Sequence, residues 1–137
     1  AQRASLQLLA ALCDSGHVVS LETSGALSIA AVDARVQRVV DVKTPGSGES
    51  QRNRYGDLAL LTPHDLVKFV VTDRADYEWS LACVRERDLA ARCTVLFSPG
   101  YGQLPARELA DWILADRAPV RFQIQLHKIL WGDEPGR

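Results

Sequence analysis

The sequence predicts an α/β fold with about five parallel strands and flanking helices. Three observations support this prediction. Short apolar segments rich in β-branched residues recur at intervals of roughly 20–28 residues, amphipathic helical patterns lie between them, and polar residues follow each apolar segment. Such a parallel set is compatible with a doubly wound sheet and with part of a β/α barrel, and periodicity does not distinguish the two.

The first part of the chain contains one predicted helix and two predicted strands. Leu6, Leu9 and Cys13 recur at helical spacing and predict a helix over 4–13, which ends at the turn-forming residues that follow. The other elements of this part are a strand at 18–21, a segment at 26–32 that fits either a strand or a short helix, a β-branched strand at 38–43, and a long polar loop at 44–55.

The rest of the chain alternates strands and helices. Asp73 is placed to cap a helix whose apolar face is formed by Tyr77, Leu81, Val84 and Leu89. In chain order, the predicted elements are a short helix at 57–61, a strand at 66–71, the helix after Asp73, a strand at 94–97, a helix at 106–115 with Pro105 at its first position, an alternating strand at 120–126, and coil at 131–137.

The composition indicates a single domain over residues 1–137. Hydrophobic residues make up 47% of the chain and charged residues 24%, which is typical of a folded protein. The formal net charge of −1 gives no electrostatic reason to bind nucleic acid or an anionic membrane. No apolar run approaches the roughly 20 residues that span a bilayer, and no signal peptide is visible. We therefore expect a cytoplasmic protein.

The three cysteines, Cys13, Cys83 and Cys93, are far apart and odd in number. This spacing fits neither a disulfide framework nor a close-spaced metal motif. It predicts three buried thiols in a reducing compartment and no metal ligands among them.

Polar side chains follow each predicted strand and indicate a ligand site. Because the carboxyl ends of parallel strands meet at one rim, these side chains are expected to cluster around a small-molecule pocket. The residues at the strand ends are Glu22, Lys43, Asp73, Ser98, His127 and Lys128.

Two of these strand ends are the most informative. The strand at 38–43 ends in Asp41 and Lys43 and continues into a glycine-containing loop, where a lysine can bind a carboxylate or a phosphate as a point charge. This loop lacks the glycine patterns of known phosphate-binding loops. The segment 98–101 can surround a ligand with backbone groups and one aromatic ring.

Several segments together resemble one enzyme family. They are 22–25 (Glu-Thr-Ser-Gly), 41–49 (Asp-Val-Lys-Thr-Pro-Gly-Ser-Gly-Glu), 68–70 (Lys-Phe-Val), 73–79 (Asp-Arg-Ala-Asp-Tyr-Glu-Trp), 96–99 (Leu-Phe-Ser-Pro) and 125–128 (Gln-Leu-His-Lys). In this order they resemble the 7-carboxy-7-deazaguanine synthase family of radical S-adenosylmethionine (SAM) enzymes, which acts in queuosine biosynthesis.

The resemblance implies a fold and a reaction. The implied fold is a partial parallel β/α barrel of the radical SAM type. The implied reaction converts 6-carboxy-5,6,7,8-tetrahydropterin to 7-carboxy-7-deazaguanine with loss of ammonia. It uses S-adenosylmethionine, a 4Fe-4S cluster and Mg²⁺, and it involves a pterin substrate, no direct contact with nucleic acid, and a homodimer.

The resemblance also implies roles for particular residues. Glu22 and Ser24 would lie near the ribose and amino acid parts of SAM, and the segments 41–43 and 98–101 would contact it. Arg137 would contact substrate, because the terminal carboxylate does so in some relatives. The implied cofactor-binding residues are Glu22, Ser24, Asp41, Val42, Lys43, Ser98, Pro99, Gly100 and Tyr101.

The family's cluster-binding cysteines, its Mg²⁺ ligand and a Gly-Gly-Glu-Pro segment would precede this chain. We therefore expect the 137 residues to be the C-terminal part of the barrel and to be inactive alone. Two alternatives stay open. One is a non-catalytic small-molecule-binding domain. The other is a receiver-like signalling domain with Asp41 as phospho-acceptor and Ser98 as switch hydroxyl, although this chain lacks an acidic pair after the first strand.

Overall fold

The fold is an open sheet of parallel strands with helices packed against it. The computed structural model describes residues 2–24, 28–124 and 130–131. Its helices and strands are α1 (Gln2–Asp14), β1 (Ser20–Ser24), β2 (Gln37–Val42), β3 (Leu66–Val71), α2 (Arg74–Glu86), α3 (Leu89–Arg92), β4 (Thr94–Pro99), α4 (Ala106–Asp116) and β5 (Arg121–Phe122). Three short 3₁₀ turns lie between β2 and β3, at Pro45–Ser47, Ser50–Arg52 and Tyr55–Leu60.

The five described strands are all parallel and follow one another across the sheet in the order β1-β2-β3-β4-β5. The α/β prediction with about five parallel strands is therefore confirmed. A doubly wound sheet reverses its strand order at a switch point, and this order has no such reversal. The receiver-like alternative thus loses its structural basis. The sheet is not closed into a barrel within the described residues.

One face of the sheet is covered and the other is open. Side chains alternate along β3, so that Val67, Phe69 and Val71 are buried whereas Leu66 and Lys68 are half-buried. Crossovers between parallel strands are right-handed, so a sheet with strands in chain order receives its helices on the same face. In the described part of the chain, most side chains on the opposite face are half-buried, whereas Ser98 is buried.

An aromatic cluster holds the helices against the covered face. Phe69 on β3 and Phe97 on β4 are register partners, with ring centroids 5.4 Å apart. Tyr77 of α2 meets the Phe97 ring edge-on at 6.0 Å, and Trp79 meets Phe69 at 6.4 Å. Edge-to-face pairs of this kind contribute about 0.5–1.5 kcal/mol beyond the area that they bury. The cluster thereby fixes α2 above β3 and β4.

The start of α2 was predicted correctly. Asp73 caps the helix, and its carboxylate accepts a hydrogen bond of 2.8 Å from the Asp76 amide. Leu89 is buried as expected but belongs to the separate helix α3, because the backbone leaves the α2 conformation at Asp88, which has φ 53°. Pro105 stands one residue before α4 and not at its first position.

The predicted first strand is displaced along the chain. The first strand lies at Ser20–Ser24 and not at 18–21, so Glu22 and Ser24 are inside the strand, and Val18 is almost fully exposed. Register with β2 decides this position, since Ser20 pairs with Gln37 and Ser24 with Asp41. A short apolar run identifies a strand nearby but not the residues that pair.

The fifth strand is shorter than predicted. Only Arg121–Phe122 pairs with β4, through Leu96 and Phe97, and positions 125 and 126 of the predicted strand lie outside the described residues. The predicted alternation of buried and exposed side chains is absent over 121–124, where all four residues are exposed, Phe122 and Ile124 at 39% each. Leu130 and Trp131 are helical, whereas 131–137 was predicted as coil. Of the undecided segment 26–32, the described residues are neither strand nor helix.

The cysteine prediction is confirmed for two residues. Cys83 and Cys93 are buried, and Cys13 is only half-buried on α1. Burial raises the pKa of both buried thiols, to about 11 for Cys93. None of the helices in the described part of the chain has the length and apolar character to cross a membrane.

A buried ion pair joins the amino ends of β2 and β3. The Arg38 guanidinium lies 2.7 Å from a carboxylate oxygen of Asp65, and the two side chains are only 6% and 1% exposed. Asp65 also accepts hydrogen bonds from the Arg38 amide and from the amide of Thr62, at 2.9 Å each. Arg38 donates a further bond to the Leu60 carbonyl at 3.0 Å. The pair thus connects two strands with the segment that precedes β3.

Candidate functional site

Apart from the buried Arg38, the charged side chains of the described strands lie on the open face of the sheet. Parallel sheets are normally covered on both faces and are then apolar on both. Here the uncovered face carries both charged or polar residues and apolar ones. Such a mixed face on a parallel sheet is unusual unless it binds a ligand or another part of the protein. The residues that the register places on this face include Glu22, Ser24, Val39, Asp41, Leu66, Lys68, Val70, Leu96, Ser98 and Arg121.

Two adjoining concavities lie at and beside the carboxyl ends of β1, β2 and β3. The strand-end concavity, of about 270 Å³, is lined by Asp41, Val42, Lys43, Thr44, Gly46, Ser47, Val70, Thr72 and Gln103. The edge concavity, of about 330 Å³, is lined by Glu22, Thr23, Ser24, Val39, Asp41, Lys43 and Lys68. Asp41 and Lys43 belong to both and therefore stand between them.

Asp41 and Lys43 form an ion pair at this shared position. The Lys43 ammonium lies 2.7 Å from a carboxylate oxygen of Asp41, and each side chain is about one third exposed. A pair with this much exposure contributes little to stability, about 0–1 kcal/mol. Breaking this pair costs little free energy. Lys43 and Asp41 can therefore separate and bind the charged groups of a ligand.

Asn53 holds the Lys43 backbone in place. Its side-chain oxygen accepts a hydrogen bond of 3.0 Å from the Lys43 amide, and its side-chain nitrogen donates one of 2.8 Å to the Lys43 carbonyl. The same nitrogen lies 3.1 Å from the Tyr55 hydroxyl. Sequence reasoning missed Asn53, because it lies 10 residues away in a loop that has no periodic pattern.

A buried carboxylate fixes the loop after β2. Asp76, on the first turn of α2, is 1% exposed. Its oxygens accept hydrogen bonds from the Gly46 amide at 2.8 Å, from the Thr44 hydroxyl at 2.9 Å, and from the amide and hydroxyl of Thr72 at 3.1 and 2.6 Å. We call this arrangement the Asp76 clamp. It connects α2 with the ends of β2 and β3, which form the wall of the strand-end concavity.

Gly46 is required by the clamp. A Cβ atom at this position would overlap the Thr72 hydroxyl and lie 2.5 Å from a carboxylate oxygen of Asp76. Sequence reasoning named Asp73 as the helix cap but gave no role to Asp76. An acidic residue three positions after a cap is a known signal of a helix start, and it could have drawn attention to Asp76.

The clamp also determines the charge of Asp76. Burial alone raises the pKa of this carboxyl, but the hydrogen bonds from Thr72, Gly46 and Thr44 outweigh it and lower the pKa. The pKa of Asp65 is lowered in the same way, with burial opposing the bonds from Arg38 and Thr62. Both carboxylates are therefore ionised at neutral pH.

We expect the stability of the fold to fall in acid. Because the folded pKa values of Asp65 and Asp76 lie below the ordinary value of 3.8, their stabilisation is present above that value and is lost as the pH falls towards the folded values. Urea denaturation at pH 7, 5, 4 and 3 should show a free energy of unfolding that is nearly constant down to about pH 5 and decreases below it. A flat profile down to pH 3 would contradict this assignment.

The segment 98–101 comprises the last two residues of β4 and the first two residues after it. Ser98 is in β4, beside Val70, and is 3% exposed with its hydroxyl lacking a hydrogen-bond partner in the described residues. Pro99 ends the strand, and the Gly100 amide donates a bond of 2.8 Å to the Val71 carbonyl. Tyr101 is about half exposed.

The structure brings together part of the predicted rim. Glu22 and Lys43 line the edge concavity, and Ser98 lies on the same face, but the segment 98–101 lines neither concavity. Asp73 serves as a helix cap. His127, Lys128 and Arg137 lie outside the described residues.

The acidic, histidine and cysteine side chains of the described residues are dispersed. Within ranges 2–24, 28–124 and 130–131, no three His, Cys, Asp or Glu side chains come together as a metal site. The thiols of Cys83 and Cys93 are buried and have raised pKa values, so neither fits the role of a thiolate ligand.

Sequence comparison gives a consistent family. The chain is 42% identical over 136 residues to a 7-carboxy-7-deazaguanine synthase from Chlorobaculum tepidum, covering 97% of this chain and 62% of that protein. It is 37% identical over 146 residues to the enzyme of that name from Koribacter versatilis, covering 97% of this chain and 65% of that protein.

A third relative with the same name, from Leptospira interrogans, is 36% identical over 121 residues, which cover 85% of this chain and 50% of that protein. No protein-family model matches the chain. The chain thus spans between half and two thirds of the length of these relatives. Over that length, its sequence is similar to proteins named 7-carboxy-7-deazaguanine synthase.

Proposed function

We propose that the protein encoded by the gene of this chain is a radical SAM lyase that converts 6-carboxy-5,6,7,8-tetrahydropterin to 7-carboxy-7-deazaguanine with loss of ammonia. The names of the relatives support the product. The observation that carries the proposal is the edge concavity, where Glu22, Asp41 and Lys43 surround one space on the open face of a parallel sheet. We further propose that this sheet is part of a radical SAM β/α barrel, and that the protein is a homodimer.

The residues of the two concavities fit SAM chemically. SAM carries a carboxylate, an ammonium group and ribose hydroxyls. Lys43 offers a cation to the carboxylate or to a hydroxyl oxygen, and Asp41 and Glu22 offer acceptors to the ammonium or the hydroxyls. In this proposal, these three residues bind and orient SAM, and the Asp76 clamp keeps the Lys43 strand end in position. When bound, SAM supplies the sulfonium centre whose cleavage gives 5′-deoxyadenosine.

The described residues do not fit the cluster or Mg²⁺. Cys83 and Cys93 are buried and Cys13 is half-buried, and no three acidic, cysteine or histidine side chains of the described ranges converge. We therefore propose that this chain binds and positions ligands and that it does not cleave SAM by itself. Incubating the 137-residue chain with iron, sulfide, SAM and a reductant should give no 5′-deoxyadenosine. Formation of this product by the chain alone would contradict the proposal.

Ligand binding provides the direct test. In calorimetric titration of the full-length protein with S-adenosylhomocysteine, we expect Lys43→Met to weaken binding by about 10- to 100-fold, because one charge-assisted contact is lost. Arg107→Met, an exposed change on α4, is the control and should bind as the wild type does. The cluster-containing full-length protein should also form 7-carboxy-7-deazaguanine from SAM and 6-carboxy-5,6,7,8-tetrahydropterin.

The outcomes separate the proposal from its alternative. If the full-length protein binds S-adenosylhomocysteine but forms no product after cluster reconstitution, the non-catalytic binding domain is the better description. If Lys43→Met binds S-adenosylhomocysteine as well as the wild type, the assignment of the SAM site to these concavities is wrong.

A further inference from the structure

Lys68 is the charged group of the edge concavity that the proposed SAM contacts do not use. It lies in the middle of β3 on the open face, with Asp41 of β2 and Leu96 of β4 as register partners. Its side chain is half-buried. Among the described residues, no carboxylate oxygen lies within 4.0 Å of the Lys68 ammonium nitrogen, the distance limit of an ion pair.

An unpaired ammonium group in such a position needs an explanation. Lys43 already has Asp41 at 2.7 Å, so that carboxylate is engaged. The neighbours Val39, Leu66 and Leu96 on the same face are apolar and offer no acceptor side chain. A cation that loses part of its hydration without gaining a partner is unfavourable, unless a ligand supplies the missing acceptor. The lining of the edge concavity therefore indicates a site for an anionic group.

The charge balance of the lining selects the kind of anion. Two carboxylates, Glu22 and Asp41, oppose two ammonium groups, Lys43 and Lys68, so the formal charges cancel. A phosphate dianion would be repelled by the two nearby carboxylates, and the lining has no net positive charge to balance its double negative charge. A carboxylate carries a single charge and can be accommodated by Lys68 alone.

We propose that Lys68 is a specificity-determining residue that binds the carboxylate of a ligand in the edge concavity. The proposal rests on the proposed function, in which both SAM and the pterin substrate carry a carboxylate. Lys68 thereby favours the carboxylated form of the ligand over an otherwise identical molecule without this group. Two sources of the carboxylate are compatible with the chemistry, and matched pairs of probes distinguish them.

The test measures discrimination by the full-length protein. Its dissociation constants are compared for 6-carboxypterin and pterin, and for S-adenosylhomocysteine and its decarboxylated analogue. In one of the two pairs, we expect Lys68→Met to weaken binding of the carboxylated probe by about 10- to 100-fold. The dissociation constant of the probe without a carboxylate should be unchanged. Lys68→Arg keeps the charge and should restore most of the affinity for the carboxylated probe. The pair that responds identifies the source of the carboxylate.

Arg121→Met is the matched control. Arg121 is a register partner of Leu96 on the same face, but it does not line the edge concavity, so its loss should change neither pair. Unchanged discrimination in both pairs for a folded Lys68→Met would overturn the proposal while leaving the proposed function intact. If the wild-type protein binds none of the four probes, the proposed function fails as well. Thermal unfolding of each variant shows whether it is folded.

Discussion

Replacing Asp65 with alanine is expected to lower the free energy of unfolding by about 3–5 kcal/mol, because it leaves the Arg38 guanidinium charged and unpaired inside the protein. Arg38 is 6% exposed, and its one charge partner among the described residues is Asp65, with the Leu60 carbonyl as a further acceptor. The amides of Arg38 and Thr62 also lose the acceptor that Asp65 provides. Since domains of this size are stable by about 5–15 kcal/mol, the loss is large.

The control removes both charges at once. The double variant Arg38→Met with Asp65→Leu leaves no buried ion and should be destabilised less than Asp65→Ala, because replacing a whole buried pair by apolar groups is often tolerated. Urea denaturation at pH 7 measures both variants against the wild type. If Asp65→Ala costs less than about 1 kcal/mol, the pair belongs with exposed ion pairs and the burial argument fails.

Replacing Asp76 with alanine is expected to have the second large effect. The amides of Gly46 and Thr72 and the hydroxyls of Thr44 and Thr72 would lose their acceptor. Each buried donor left without a partner costs about 1–3 kcal/mol, and partial access to water or to the Val70 carbonyl reduces the sum. We expect the free energy of unfolding to fall by roughly 2–4 kcal/mol.

The same change should reach the ligand site. The clamp holds Thr44 and Gly46, which line the strand-end concavity beside Lys43. In the proposed function, Asp76→Ala therefore weakens binding of S-adenosylhomocysteine to the full-length protein. Gly46→Val, which forces a side chain into the clamp, should weaken it in the same direction.

Asp73→Ala is a matched control for the clamp. It removes the α2 cap three residues earlier and should cost about 1 kcal/mol, with little effect on ligand affinity. Equal loss of affinity in the Asp73 and Asp76 variants would mean that general loosening of α2, and not the clamp, controls the site. Urea denaturation and calorimetric titration on the same preparations give both quantities.

Some elements could be read directly from the chain because their signal is local. The strand at 66–71 was predicted with the bounds that the structure gives, and the strand at 38–43 differs by one residue at each end from Gln37–Val42. Both contain apolar side chains at alternate positions, which is the direct consequence of burying one face. The helix at 106–115 was predicted within one residue for the same reason.

Other features depended on partners that are distant in the sequence. The position of β1 follows from its register with β2. No local pattern carries this register. The acceptors Asn53, Asp65 and Asp76 look like ordinary polar residues in the sequence, and their roles arise from donors in other segments.

The sequence by itself determined the α/β class, the order of its strands and helices, and the strand ends at which charged residues cluster, because these depend on the local alternation of apolar and polar side chains. Only the tertiary structure decided which charges meet. It placed Arg38 against Asp65 across 27 residues and Gly46 against Asp76 across 30, and it paired Lys43 with Asp41 while giving Lys68 no carboxylate partner among the described residues. The physical reason is that pairing depends on strand register and helix placement, which bring together groups that no local pattern relates.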